Sequence, residues 1–204
     1  MISRRILFVA AALFLLVVPL NARAAESGPV ATVDAFYATL LQAMKKGPQL
    51  GFAGRRDLLA PALNKAFDLP AMTRITVGPQ WSGIPADEQQ KLIHAFADYS
   101  VATYANRFDD YSGEKFEVAP KATPSVGGDV IVHSKLIQSD GSPVELDYLM
   151  HRVGSDGWKI IDVYLSGTIS QLAAQRSEFT SVLSQGGAPA LIQSLRNKTA
   201  QLAS

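Results

Sequence analysis

Between Lys115 and Leu165 apolar residues recur at every second position, whereas on either side of that stretch they recur every three or four. The two periods belong to different structures, because alternate side chains share one face of a strand while positions three and four apart share one face of a helix. A chain with helical, then alternating, then helical patterning is therefore neither a helical bundle nor an all-strand sandwich. Ser139-Asp140-Gly141-Ser142 and Ser155-Asp156-Gly157 interrupt the alternating stretch with the Asp-Gly pairs that tight hairpin turns favour. The pattern predicts about four antiparallel strands in a curved meander, with hairpin-linked strands near 129–138, 143–153 and 158–165. Over 143–153, Val144, Leu146, Tyr148 and Met150 fall on one face and Glu145, Asp147 and His151 on the other.

The flanking blocks read as helices. Val30, Val33, Phe36, Tyr37, Leu40, Leu41 and Met44 keep helical spacing after Pro29, and Gly47-Pro48 reads as the stop. Leu59, Leu63 and Phe67 form a shorter helical face after Gly54, and Asp68-Leu69-Pro70 reads as a cap opening a brief helix to Gly78. Pro85 with Asp87 and Glu88 starts a long helix running to about Asp110, since carboxylates favour the positive end of a helix dipole. Its expected inner stripe is Ile93, Phe96, Ala97, Val101, Tyr104 and Phe108. Helical spacing returns through Ile169, Leu172, Ala173, Phe179 and Leu183, breaks at Gly186-Gly187, and resumes near Pro189 with Leu191, Ile192, Leu195 and Leu202. Helices, sheet, then helices is an α+β order with the helices packed on the sheet. The competing arrangement is a helical protein with a small hairpin appendage.

The N-terminus follows different logic. Arg4 and Arg5 precede an apolar run from Ile6 to Val18, and Ala22-Arg23-Ala24 offers small residues where a signal peptidase reads. The run is shorter than the roughly 20 residues of a spanning helix, so residues 1–24 read as a cleaved export signal and 25–204 as one domain. The apolar core favours the general secretory route over the twin-arginine route hinted at by Ser3-Arg4-Arg5. The remaining chain loses three arginines and becomes mildly acidic, which gives no field for nucleic acid.

Reactive chemistry is sparse. The chain has no cysteine, which removes disulfides, thiolate metal sites and thiol nucleophiles. His94, His133 and His151 are the only histidines and show no two-ligand spacing, so no metal or cofactor is expected. There is no Gly-x-Ser-x-Gly elbow, and Gly127-Gly128 and Gly186-Gly187 lack the lysine of a phosphate loop. One carboxylate stands out. Strict alternation places Asp162 on the face of Trp158, Ile160 and Tyr164, where it needs a partner. It could hold a structural hydrogen bond, lie exposed, or act as the proton-transfer base of a small acid/base enzyme.

Several segments together resemble the MlaC-like family of periplasmic lipid-binding proteins: Gly78-Pro79-Gln80-Trp81, Pro85-Ala86-Asp87-Glu88-Gln89, Tyr104-Ala105-Asn106-Arg107, Tyr111-Ser112-Gly113, Gly157 to Val163, Gln175-Arg176-Ser177-Glu178-Phe179 and Gly186-Gly187 with Leu191 to Leu195. Gly54-Arg55-Arg56 to Phe67-Asp68-Leu69-Pro70-Ala71-Met72 is similar to the hopanoid-associated HpnM branch. The resemblance implies a roll of antiparallel sheet and helices around an apolar pocket, and a non-enzymatic shuttle carrying a membrane lipid between envelope membranes. A hopanoid or related isoprenoid is preferred and a phospholipid second. It also implies an inner-membrane lipid transporter and an outer-membrane acceptor as partners, with the chain a monomer. The candidate lipid-binding residues are Met72, Ile75, Phe96, Tyr104, Val132, Leu146, Tyr148, Met150, Ile160 and Tyr164. Periodicity leaves open whether these fill a solid core or line a pocket, and a structural interaction domain is the third class of function. Mass spectrometry of exported protein should find the new N-terminus at Ala25 or one residue later. A chain that retains Ile6 to Leu20 and stays in the membrane fraction contradicts a soluble shuttle.

Overall fold

The computed structural model describes residues 28–154 and 157–203. The export segment, and Ser155-Asp156 of the second Asp-Gly turn, lie outside the described residues. Helix α1 (Pro29–Lys45) buries Val33, Phe36, Tyr37, Leu40 and Met44, the stripe its spacing predicts. Gly47-Pro48 ends that helix but also opens the next. Helix α2 (Gly47–Ala66) is a 20-residue element bent at Gly51, where φ is 59°, so the short helix expected after Gly54 is its second half. Asp68 then caps α3 (Leu69–Val77), its Oδ1 accepting the Ala71 N–H at 2.9 Å. After a 3₁₀ turn over Gly78–Gly83 comes α4 (Ala86–Arg107), which ends three residues short of Asp110 because Phe108 leaves the helical region.

Among the described residues the expected four strands are seven, in one open, entirely antiparallel sheet. They are β1 (Lys115–Val118), β2 (Thr123–Pro124), β3 (Val130–Val132), β4 (Ser134–Ile137), β5 (Pro143–Val153), β6 (Gly157–Leu165) and β7 (Ile169–Ser170). The strand predicted over 129–138 is broken at His133, and both pieces pair with the same edge of β5, Val132 opposite Tyr148 and Lys135 opposite Glu145. The row outside it is likewise split, β1 pairing with β4 and β2 with β3. Ile169, expected in a helix, lies in β7 instead, paired with Leu165.

A second irregularity lies between β5 and β6. Leu149 faces Asp162 but Met150 faces Ile160, so Ile161 is an extra residue without an opposite number. A bulge of this kind slips the face alternation by one. Val163 and Leu165 thereby join Ile160 and Trp158 on the face of Met150, Tyr148 and Leu146, while Asp162 and Tyr164 go to the opposite face. The shared face read for Asp162 and Tyr164 with Ile160 is therefore incorrect. The bulge also turns the Ile160 carbonyl outward, where it accepts the Asp68 N–H at 2.9 Å and ties the α2–α3 link to the sheet.

The C-terminal element α5 (Gln171–Leu202) is two helices joined at Gly186 and Gly187, with φ of −149° and 65°, as the sequence reading expected. In a straight helix residues twenty apart stand about 30 Å from each other, yet Lys198 Nζ forms an ion pair with Glu178. The two arms therefore fold back as a hairpin. Lys198 also lies 5.8 Å from the Tyr99 ring centroid, and Asn106 Nδ2 donates to the Leu202 carbonyl at 3.3 Å, so the second arm runs alongside α4. Among the described residues no helix is long and apolar enough to cross a membrane.

One buried cation joins the start of α2 to the end of α4. Arg55, 8% exposed, donates from Nε to the Ala105 carbonyl at 2.8 Å and from Nη1 to the Gly47 carbonyl at 3.0 Å. Gly47 fits there because a Cβ would sit 1.9 Å from the Asp109 carbonyl oxygen. Arg55→Met keeps the stem but strands both acceptors, so urea unfolding should show a loss of about 2 kcal/mol or more. A loss below about 0.5 kcal/mol, the scale of ordinary surface substitutions, would mean that water replaces the guanidinium there.

Candidate functional site

Between the sheet and α3, α4 and the first arm of α5 lies a cavity of about 200 Å³. The α2–α3 segment contributes Leu63, Phe67, Leu69 and Met72. Helix α4 presents Phe96, Tyr99, Ser100, Thr103, Tyr104, Arg107 and then Phe108, a stripe at three- and four-residue steps. The sheet supplies Leu136, Val144, Leu146, Tyr148, Val163 and Leu165, and α5 supplies Gln171, Leu172 and Gln175. The Ser100 and Thr103 hydroxyls donate to the Phe96 and Tyr99 carbonyls, each at 2.8 Å, so both satisfy themselves within the helix.

Five of the ten residues singled out from sequence meet at this cavity: Met72, Phe96, Tyr104, Leu146 and Tyr148. Val132, Met150 and Ile160 are fully buried but belong to the packed core outside the cavity wall. Ile75 is 40% exposed on α3, and the bulge puts Tyr164 on the other side of the sheet. Sequence reasoning missed Val163 and Leu165, because nothing in the pattern marks the extra residue at Ile161. It also passed over Tyr99, Thr103 and Arg107, which the spacing from Phe96 could have found.

The aromatic cluster at and behind the cavity wall is uncharged. Ser134 Oγ donates to the Leu146 carbonyl, so the Tyr37 hydroxyl, 2.6 Å away, must donate to Ser134. The Tyr37 ring meets Tyr148 edge-on at 5.7 Å, and Tyr104 meets Phe36 edge-on at 5.3 Å. Burial pushes the Tyr37 hydroxyl up to about 12 and the Tyr148 hydroxyl well above its ordinary value. Tyr104 is raised by burial too, with the nearby Arg107 guanidinium opposing the shift.

Asp162 is outside the cavity wall. Its carboxylate accepts the Leu172 N–H at 3.2 Å, its own neighbour Val163 N–H at 2.7 Å, and the Ser170 hydroxyl. Ser170 in turn caps α5 through the Ala173 N–H at 2.9 Å. The aspartate thus anchors the start of that helix to the sheet. The histidines on β5 and beside β4 also meet aspartates: His151 Nε2 lies 2.9 Å from Asp68 Oδ2, and His133 Nδ1 lies 2.9 Å from Asp147 Oδ2. His94 is exposed on α4. Among the described residues no three His, Asp or Glu side chains are placed to hold a metal ion.

The family model of the MlaC protein matches residues 34–197, a span that runs from α1 into the second arm of α5 and includes every cavity-lining residue. The chain belongs to the MlaC family. A phospholipid-binding protein from Ralstonia solanacearum, solved in complex with a phospholipid, is similar to this MlaC-family chain in structure, with a TM-score of 0.75 and 27% sequence identity. The match covers 87% of this chain and 99% of that one. No curated protein matches this chain. The segments that resemble the family include Tyr104 to Arg107 and Gln175 to Phe179, and the structure brings the two together at one cavity.

Because the raised tyrosines favour their neutral form in the fold, their contribution to stability is intact below about pH 10 and is lost as pH rises toward the folded values. Ultraviolet titration should therefore show Tyr37, Tyr104 and Tyr148 ionising only as the protein unfolds, with stability falling from about pH 10 to about 12. Ionisation of all three near pH 10 in a still-folded protein would mean that water reaches the aromatic cluster at and behind the cavity wall.

Proposed function

We propose that this protein is a periplasmic lipid carrier, which encloses the apolar part of a membrane lipid in its cavity and moves it from an inner-membrane transporter to an outer-membrane acceptor, or the reverse. The observation that carries this reading is the cavity itself, with neutral tyrosines and aliphatic side chains on its floor and no carboxylate in its wall. Each methylene withdrawn from water contributes about 0.8 kcal/mol, so a slot of this kind holds a lipid tail by burial alone. Membership of the MlaC family and the likeness to the Ralstonia protein support the same reading. The export signal read from Arg4 to Ala24 supports the periplasm as its location. Met72, Phe96, Tyr104, Leu146 and Tyr148 are the proposed contacts, with Val132, Met150 and Ile160 as the packed layer outside the cavity. Ile75 and Tyr164, placed away from the cavity, are assigned no contact.

Two lipid classes are candidates. The Ralstonia complex supports a phospholipid. The segment that resembles the HpnM branch supports a hopanoid, since it contributes Leu63, Phe67, Leu69 and Met72 to the wall. Either must widen the cavity, because 200 Å³ is smaller than the roughly 300 to 1,000 Å³ of ordinary ligand pockets.

Protein purified without detergent should yield one bound lipid class on solvent extraction, and its mass identifies which. Leu146→Trp places a larger side chain in the proposed lipid space and should lower bound lipid several-fold while the melting temperature holds. If Leu146 belongs instead to a filled core, the same change costs about 1 to 3 kcal/mol and leaves lipid content per folded molecule unaltered. A chain that is lipid-free and takes none from vesicles overturns the carrier reading.

A further inference from the structure

The face of the sheet turned away from the cavity carries a hydrogen-bonded row of a different kind. Thr123 Oγ1 on β2 lies 3.0 Å from His133 Nε2, and His133 Nδ1 lies 2.9 Å from Asp147 Oδ2 on β5. Asp147 sits between Leu146 and Tyr148 on the strand, so it points to the other side of the sheet from those two cavity-lining residues. Strand pairing brings the row into line. Thr123 pairs with Ile131, two residues before His133, and Asp147 follows the Glu145–Lys135 pair and precedes the Tyr148–Val132 pair. The Asp147 side chain is only 14% exposed, whereas Thr123, on an outermost strand, is open to solvent.

The polarity of this row is set from its shielded end. A carboxylate only accepts, so the proton of a neutral imidazole must sit on Nδ1, facing Asp147. Nε2 is then a bare acceptor, and the Thr123 hydroxyl must donate to it. The other contact of that hydroxyl, to the Ile131 carbonyl at 3.4 Å, is the weaker of the two. Hydroxyl, imidazole and carboxylate in this order and polarity are what general-base activation of an oxygen nucleophile requires. Beside the row lies a groove of about 430 Å³, lined by His133 and Asp147 together with Glu117, Lys135 and Glu145. A polar staple between strands needs neither an exposed hydroxyl nor a groove next to the imidazole.

We propose that Thr123 is an oxygen nucleophile, with His133 as its base and Asp147 as the positioning residue, and that this second site cleaves small uncharged esters. The proposal is independent of the carrier reading above. Thr123 Oγ1 bonds to the ester carbonyl carbon as its proton passes to His133 Nε2. The alcohol then leaves with that proton, and the acyl group stays on the threonine. Water adds to the acyl carbon while giving a proton to Nε2, and the carboxylic acid departs as Thr123 Oγ1 takes the proton back. Lys135 is the ammonium in the groove that can offset the charge developing on the carbonyl oxygen. Glu117, Glu145 and Asp147 disfavour an anionic ester, which is why the substrate class is uncharged.

The probe is 4-nitrophenyl acetate in mildly alkaline buffer, with nitrophenolate release followed by absorbance and the acetyl group located by peptide mass spectrometry. Wild type should release nitrophenolate and carry the acetyl group on Thr123. Thr123→Val and His133→Gln should each slow release about 100-fold, the low end of what a positioned base contributes, while their melting temperatures hold. Thr123→Ser keeps the hydroxyl and should keep the reaction. The ring-nitrogen NMR shifts of His133 should report the Nδ1–H tautomer in wild type and a gain of the Nε2–H tautomer in Asp147→Asn, together with loss of acetylation at Thr123. Release that is equal in wild type and Thr123→Val overturns the proposal. So does an acetyl group found only on lysines or histidines, or release that depends on His133 but not on Thr123, since the imidazole would then act alone. None of these outcomes bears on lipid extracted from the cavity, so the carrier reading stands or falls separately.

Discussion

The extra residue at Ile161 is the point on which the rest of the architecture depends. By slipping the alternation of β6 it sends Val163 and Leu165 toward the cavity and Asp162 away from it. The Ile160 carbonyl so turned receives the Asp68 N–H, and Asp68 both caps α3 and meets His151. The Asp162 carboxylate receives the Leu172 N–H and the Ser170 hydroxyl that begins α5. One irregular residue thus positions α3 and α5 against the sheet, while β6 stays paired with β5 on either side of it. Bulges of this kind re-aim side chains at functional sites, and here the re-aimed groups are structural on one face and cavity-lining on the other.

The cavity combines two kinds of surface. Its floor includes Tyr104 and Tyr148, whose hydroxyls burial keeps neutral, and behind Tyr148 the Tyr37 hydroxyl is satisfied by Ser134. Its wall also carries Arg107 and Gln175, the latter with a buried Oε1 that no hydrogen bond satisfies. Enlarging such a space for a long chain requires one wall to move. The first arm of α5 is bounded by the Asp162 anchor at one end and the Gly186-Gly187 break at the other, with the Glu178–Lys198 ion pair between the arms.

Much of this was legible in the sequence, and the misses share a cause. The periods of α1 and β5 were unbroken, so their buried faces followed from spacing, whereas of the stripe read for α4 only Phe96 and Val101 are buried and Leu92, Ala95, Ala102 and Ala105 complete its inner face. The break at Gly186-Gly187 was legible because glycine and proline punctuate strongly there. Ile161 and His133 carry no such mark, since a bulge or a broken strand costs little sequence signal while changing which side every later residue faces. Asp162 and Tyr164 were misplaced for that reason. Arg55 was invisible as a buried cation because its partners are backbone carbonyls, which no side-chain pattern announces. The difference between a solid core and a cavity is also not a property of periodicity. Met150 and Tyr148 have the same alternation, yet only Tyr148 reaches the space.

The break at His133 has a further consequence, for association between copies of the chain. A long, flat sheet edge is a template on which another copy can pair. Here the outer row is divided into β1, of four residues, and β2, of two, the latter containing Pro124, which has no N–H to offer. On the other side, β7 covers the end of β6 with two residues, and the Phe67–Asp68 link occupies it at Ile160. Among the described residues β1, β2 and β7 are at most four residues long, and the outer edge of β6 is interrupted at Ile160 and covered at Tyr164 and Leu165, so the discontinuities that multiplied the strand count also leave little uninterrupted edge for a second molecule to extend.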